Sequence, residues 1–215
     1  LTSPHLAGVL YHSRRILTPL DDTVMRVVHN TPQMIRRSRG VTPLPIELKE
    51  SASRPALAMG GDLKSAFCLL AGSRAILSQY FGDMEEYAVA QKYREALTRM
   101  ESLFGIHPAA IACDLHPGYV TTGLAKRLAR KRGIPLLPVQ HHHAHAASVM
   151  AEHGLSSCIG VVFDGTGYGT DGAVWGGEFL YCNGKTFERP AHLDYVPLCG
   201  GDEGMKNAGM TADCY

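Results

Sequence analysis

Residues Val139 to Gly169 read VQHHHAHAASVMAEHGLSSCIGVVFDGTGYG, and their order decides the fold class. Residues 141 to 153 carry a helical pattern closed by Gly154, a residue that readily takes the left-handed conformation after a last helical turn. The apolar run Ile159 to Phe163 has strand length and reads as a buried strand. A further strand, Pro135 to Val139, leads into the helix. The stretch is therefore strand, helix, strand, followed by an acidic glycine-rich loop, Asp164-Gly165-Thr166-Gly167-Tyr168-Gly169. Alternation of this kind predicts an α/β domain with its site at the ends of the strands.

Before this stretch, Val120 to Arg132 reads as a second helix stopped by Gly133, and Ala109 to Cys113 as a short strand ending in Asp114. Asp83 is expected to cap a long helix to about Phe104, because Met84, Tyr87, Ala88, Ala90, Tyr93, Leu97, Met100 and Phe104 lie near the 3.6 period. Pro55 to Met59 reads as a strand, Gly60-Gly61-Asp62 as a turn, and Lys64 to Leu70 with Arg74 to Ser78 as a hairpin through Ala71-Gly72-Ser73. Strands at 157–164 and 172–181 follow the histidine helix. The set predicts a mixed sheet. Leu1 to Lys49 is broken by prolines, and Thr42 to Glu47 cannot sustain a helix, so this part reads as the edge of a strand-rich domain and a linker. A domain boundary is placed near residues 50 to 55. The chain begins without methionine and stops at Asp213-Cys214-Tyr215 without a capped element, so a fragment of a longer protein is expected.

Hydrophobic residues make up 45% of the 215 and charged residues 19%, which excludes a disordered chain. A net charge of +1 provides no global field toward nucleic acid or an anionic membrane, and neither is expected as a partner. The six cysteines contain no CxxC pair and read as reduced thiols. No apolar stretch approaches the roughly 20 residues of a membrane span, and a cytoplasmic location is expected.

His141 and His145 are spaced i and i+4, which puts both imidazoles on one helical face. This resembles the geometry of the two ligands of HExxH without its glutamate, and imidazole is the commonest transition-metal ligand. Two ligands are insufficient. Asp164 is the best third candidate, directly or through a water. His142 and His143 lack the spacing and are left as supporting, substrate-facing or exposed. In the loop Asp164 to Gly169, three glycines allow backbone N–H groups to approach a phosphate and to adopt positive φ. It lacks the Lys-Ser/Thr ending of a P-loop, so a Walker site is not expected. Gly200-Gly201-Asp202 is a weaker candidate of the same kind. Arg36, Arg37 and Arg39 suit an anion anchor, with a solvated basic turn as the alternative. Asp114 and His116 at a strand end, Gln140 before the histidine helix, and Trp175 and Glu178 beside two glycines complete the candidate cleft residues. No Ser-His-Asp order or reactive cysteine stands out, and no catalytic residue is assigned.

The phrases Asp21-Asp22-Thr-Val, Ile35-Arg-Arg-Ser-Arg-Gly40, Ala58-Met-Gly-Gly-Asp-Leu-Lys64, Leu77-Ser-Gln79 with Gly82-Asp83, Asp114-Leu-His-Pro117, Gln140-His-His-His-Ala-His145, Met150-Ala-Glu-His-Gly154, Asp164 to Gly169 and Trp175-Gly-Gly-Glu178 run in the order of one family. The chain resembles the HypF carbamoyltransferases that mature nickel–iron hydrogenases. The resemblance implies that residues 1–50 are the C-terminal edge of a YrdC-like α/β domain. It implies that 51–215 are the first lobe of a TsaD-like domain with the actin-like ATPase (ASKHA) fold. It further implies that carbamoyl phosphate and ATP with Mg give carbamoyl adenylate, whose carbamoyl group passes to the C-terminal cysteine of the partner HypE. His141 and His145 match the family's metal-ligating histidines, for zinc or iron, and the Asp164 loop matches its nucleotide-phosphate contact. Arg36, Arg37 and Arg39 match the basic signature of the YrdC-like domain. A further ligand aspartate belongs to a second lobe, so the fragment alone is expected to be inactive. An O-carbamoyltransferase of natural-product biosynthesis, a tRNA-modifying TsaD-type protein and a non-catalytic docking module are the alternatives.

Overall fold

A computed structural model describes residues 5, 7–197, 200 and 207–212. The first elements, β1 (Val24–Val28) and β2 (Thr31–Arg36), pair antiparallel. They are joined through His29 and Asn30, both at positive φ, the backbone that a two-residue hairpin turn requires. Next comes a mixed four-stranded sheet built from β3 (Ile46–Met59), β4 (Phe67–Leu77), β5 (Ala110–Asp114) and β6 (Leu136–Val139), in the order β4-β3-β5-β6. β3 pairs antiparallel with β4 and parallel with β5, and β5 pairs parallel with β6. Helices α1 (Tyr87–Phe104) and α2 (Val120–Arg132) supply the crossovers. Their apolar faces, with Tyr93, Leu97, Leu124 and Ala125, bury Leu57, Leu69 and Ile111 of the sheet in one core.

The start of α2 is held from outside the helix. Asp62 Oδ2 accepts the Val120 N–H at 2.6 Å, and Oδ1 accepts the Thr121 N–H and hydroxyl at 3.0 and 2.9 Å. The carboxylate thus satisfies donors that have no partner inside the helix. A second unit follows: α3 (His141–His153) lies against an antiparallel sheet of β7 (Ser157–Tyr168), β8 (Val174–Asn183) and β9 (Thr186–His192). Ala146 and Met150 of the helix meet Trp175, Leu180 and Cys182 of the sheet. A short helix, α4 (Ala208–Ala212), ends the described residues.

Several elements depart from expectation. Residues 64–78 are not a hairpin: β4 is continuous, and Gly72, at φ 60°, sits where the β3–β4 register shifts beside Ala52. Its left-handed backbone makes a bulge, because β3 is long enough to pair along the whole of β4. β3 begins at Ile46, inside the stretch read as linker, where Ile46 and Glu47 pair with Ala75 and Arg74. Asp83 caps a turn, accepting the Glu85 N–H at 2.9 Å, and the helix starts only at Tyr87. The run Ile159 to Phe163 is half-buried: Ile159, at 75% exposure, Val161 and Phe163 lie on the strand face turned away from α3. β9 was not foreseen. Among the described cysteines, Cys68, Cys113, Cys158 and Cys182 are free, whereas Cys199, Cys214 and most of Gly200-Gly201-Asp202 lie outside the described residues.

Candidate metal centre

The parallel register of β5 and β6 sets Asp114 opposite Val139, two residues before His141 opens α3. Asp114 Oδ2 and His141 Nδ1 are 2.7 Å apart, and Asp114 Oδ1 accepts the His116 N–H at 2.8 Å. One turn along α3, His145 Nε2 comes within 3.2 Å of His141 Nε2. From β7, Asp164 Oδ2 reaches 2.9 Å from His141 Nε2 and 3.3 Å from His145 Nε2, while its Oδ1 accepts the Gly165 N–H at 2.7 Å. Two imidazole nitrogens and one carboxylate oxygen therefore converge on one point.

Their spacing fits a divalent transition metal. Metal–ligand bonds of about 2.1 Å put neighbouring ligand atoms about 3.0 Å apart at right angles and about 3.4 Å apart at the tetrahedral angle. A carboxylate behind a ligating histidine, fixing its tautomer, is the usual supporting partner in such sites. The bond to Asp114, followed by the charges of Asp114 and Asp164, raises the His141 pKa above its ordinary value against the opposing effect of burial. Burial pushes the Asp114 and Asp164 carboxyls up, but the His141 bond and His116 N–H at Asp114, and the Gly165 N–H and both imidazoles at Asp164, bring them below the ordinary range.

The family description "HypF Kae1-like domain" matches residues 51–152, and "Carbamoyltransferase, Kae1-like Domain, second subdomain" matches 160–213. The chain is 39% identical over 201 residues to carbamoyltransferase HypF of Synechocystis, and 42% identical over 207 residues to carbamoyltransferase HypF2 of Cupriavidus necator. These alignments take in 93% and 94% of the chain. A full-length HypF, solved in a phosphate- and nucleotide-bound form, superposes with a TM-score of 0.87 at 43% identity over 94% of the chain. The chain belongs to the HypF family. It spans 26% of the length of each of these two curated relatives and of that solved structure. The HypF of T. kodakarensis superposes at 0.77 with 46% identity, covering 86% of this chain and 24% of that one. The α/β, actin-like lobe with a mixed sheet is thus the HypF Kae1-like fold.

Around His141, His145 and Asp164 the other candidates have distinct places. Gln140 caps α3: its Oε1 accepts the His143 N–H at 2.9 Å, and its Nε2 lies 3.2 Å from His142 Nδ1 and 3.4 Å from the Tyr168 carbonyl. That amide leaves His142 with its proton on Nε2, which is buried without a partner among the described residues, as is His143 Nε2. Burial lowers the pKa of both rings. Both point into the fold, and His143 packs on Phe187. His116 stacks on Tyr119 at 4.2 Å and meets the edge of Tyr168, an aromatic wall beside Asp114.

The segment Asp164 to Gly169 is largely strand, not an open loop, and none of its three glycines takes positive φ. They serve close approach instead. A Cβ at Gly167 would stand 2.5 Å from the His142 ring and 3.1 Å from the His141 Cβ, and one at Gly169 would collide with Trp175 and Asp171. Trp175 and Glu178 are 2% and 1% exposed, so they form interior support rather than a cleft surface. Arg189, which no local sequence motif marks, lies 3.9 Å above the Trp175 ring and is bonded to Glu178. Arg36, Arg37 and Arg39 are not drawn to the histidines. Arg36 faces Asp21 and Tyr80, Arg37 the Leu44 carbonyl, and Arg39 the Leu20 carbonyl and Asp22. No helix among the described residues is long and apolar enough to cross a membrane.

Proposed function

We propose that this chain supplies the metal-bearing part of the carbamoyl-transfer site of a HypF carbamoyltransferase. The observation that carries the reading is the convergence of His141, His145 and Asp164, with Asp114 behind His141, in a chain of this family. In that reading the enzyme uses carbamoyl phosphate and ATP with Mg to make carbamoyl adenylate in a YrdC-like domain, of which residues 1–50 are the end. The thiol of the HypE C-terminal cysteine then attacks the carbamoyl carbon. The C–O bond to AMP breaks, a C–S bond forms, and the thiol gives up its proton. Residues 51–215 belong to the transferring domain, with 160–213 in the part that matches its second subdomain, in the cytoplasm.

The bound ion, zinc or iron since imidazole and carboxylate suit either, would act as a Lewis acid toward a carbamoyl or phosphate oxygen. The chain's own residues prepare for it. Asp114 keeps a proton on His141 Nδ1, so that the Nε2 lone pair faces His145 and Asp164. The Gly165 N–H holds Asp164 Oδ1 and leaves Oδ2 toward the imidazoles. Asp164 to Gly169 would border the nucleotide phosphates, and Arg36, Arg37 and Arg39 would serve the anion on the YrdC side.

The test compares full-length parent protein with its His141→Ala/His145→Ala variant, measuring bound metal and transfer of labelled carbamoyl to a HypE C-terminal peptide. Loss of both is expected. Metal content unchanged in the variant would remove the ligand assignment, and lost metal with transfer intact would point to a structural ion.

A further inference from the structure

Glu178 is the most deeply buried carboxylate among the described residues, and its surroundings explain how Asp164 reaches the histidines. β7 and β8 pair through Phe163 with Gly177 and through Gly167 with Trp175. Between those pairs β7 has three residues, Asp164, Gly165 and Thr166, while β8 has only Gly176. The surplus makes β7 bulge, and Gly176 is left without a ladder partner. Its N–H donates instead to Glu178 Oε1 at 3.0 Å. Gly176 lies directly beneath the bulge, since a Cβ there would be 3.2 Å from the Asp164 carbonyl oxygen and 3.6 Å from that of Gly165. The second oxygen, Glu178 Oε2, accepts Arg189 Nε at 2.5 Å. Arg189 itself is fixed by the Trp175 face and by the Tyr195 hydroxyl at 3.0 Å.

Gly176 is half-buried, and a peptide N–H shielded from water without a partner is costly, so an interrupted ladder there needs a substitute acceptor. We propose that Glu178 is a positioning residue for Asp164. By accepting the Gly176 N–H where the ladder is broken, it holds the bulge that carries the Asp164 carboxylate to His141 and His145. The inference rests on the reading of His141, His145 and Asp164 as metal ligands. A plain charge pair with Arg189 would bury the same two groups but assigns no part to Gly176.

Two double variants of the full chain separate these accounts. Glu178→Gln/Arg189→Met removes both charges and keeps a carbonyl acceptor for Gly176. Glu178→Met/Arg189→Met removes the acceptor as well, and exchanging both members of a buried pair for apolar groups is commonly tolerated by the fold. The probe is Co2+ alone, read by its visible absorption, with Asp164→Ala as reference. The glutamine variant should bind within about threefold of wild type, while the methionine variant should bind at least about tenfold more weakly and show the spectrum of Asp164→Ala. Equal affinity in the two double variants, or a wild-type spectrum in the methionine variant, overturns the proposal. Amide exchange at Gly176 in metal-free protein gives a second reading: slow in wild type and the glutamine variant, fast in the methionine variant. Equal exchange in the two double variants also overturns it. A wild-type chain that takes up no Co2+ overturns the metal reading instead, and Gly176 exchange then still decides whether Glu178 holds the bulge.

Discussion

Asp114→Asn replaces one carboxylate oxygen by NH2 without changing the shape of a side chain that is only 8% exposed. Its two oxygens both face donors: Oδ2 lies 2.7 Å from His141 Nδ1, and Oδ1 accepts the His116 N–H at 2.8 Å. A carboxamide can serve only one of them. If its oxygen stays on His141, the NH2 confronts the His116 N–H. If it turns, His141 must present a bare Nδ1 and carry its proton on Nε2, the atom aimed at His145 and Asp164. A hydrogen bond to a charged group contributes about 1.5–3 kcal/mol, and about 1.4 kcal/mol is tenfold in affinity, so divalent metal should bind about 10- to 100-fold more weakly. The assay is competition for Zn2+ against a chromophoric chelator near neutral pH, with wild type, Asp114→Asn and His141→Ala side by side. An asparagine variant within about twofold of wild type, beside a weakened His141→Ala, would refute the view that Asp114 sets the tautomer.

Gly167→Ala should destabilise the chain by about 1–3 kcal/mol in denaturant unfolding, because its Cβ would overlap His142 and press on His141; a neutral effect would remove the close-approach account of that glycine. In metal-free protein His141 has a raised pKa, so the stability it contributes is complete below the ordinary imidazole value and is lost as pH rises through the raised one. Asp114 and Asp164 are lowered, so their contribution is complete above the ordinary carboxylate value and lost as pH falls through the lowered ones. The thermal midpoint should therefore decline above the imidazole range, and His141→Ala should flatten that decline. Added metal should offset it, since ligation requires Nε2 without its proton.

The helices α2 and α3 were legible in the sequence at both ends because their stop signals are local: Gly133 and Gly154 take φ of 65° and 61° just past the last turns. Strand pairing is not local. Ala71-Gly72-Ser73 has the composition of a turn, yet β3 runs alongside the whole segment, and pairing overrides that preference. β9 was hidden by its charged and proline-containing sequence, ordinary for an edge strand. Its signal was Asn183-Gly184 between the two strands, with Gly184 at φ 57°.

The same division governs the centre. The His141–His145 pair follows from helical spacing and can be read along one element. Sequence alone places Asp114 no more closely than in a cleft, because its bond to His141 spans 27 residues and depends on β5 lying parallel to β6. Asp164 was named from its neighbours in the sequence, but what delivers it is a bulge on the second sheet, set by Gly176 and Glu178 on another strand. Three separate devices therefore meet on the His141 ring: the parallel register at Nδ1, through Asp114, and the helical turn and the bulge at Nε2, through His145 and Asp164. Because β5 and β6 belong to one sheet and β7 and β8 to the other, the junction between the sheets fixes the donor distances, and packing of α3 against β7 is as much a determinant of the site as its ligands.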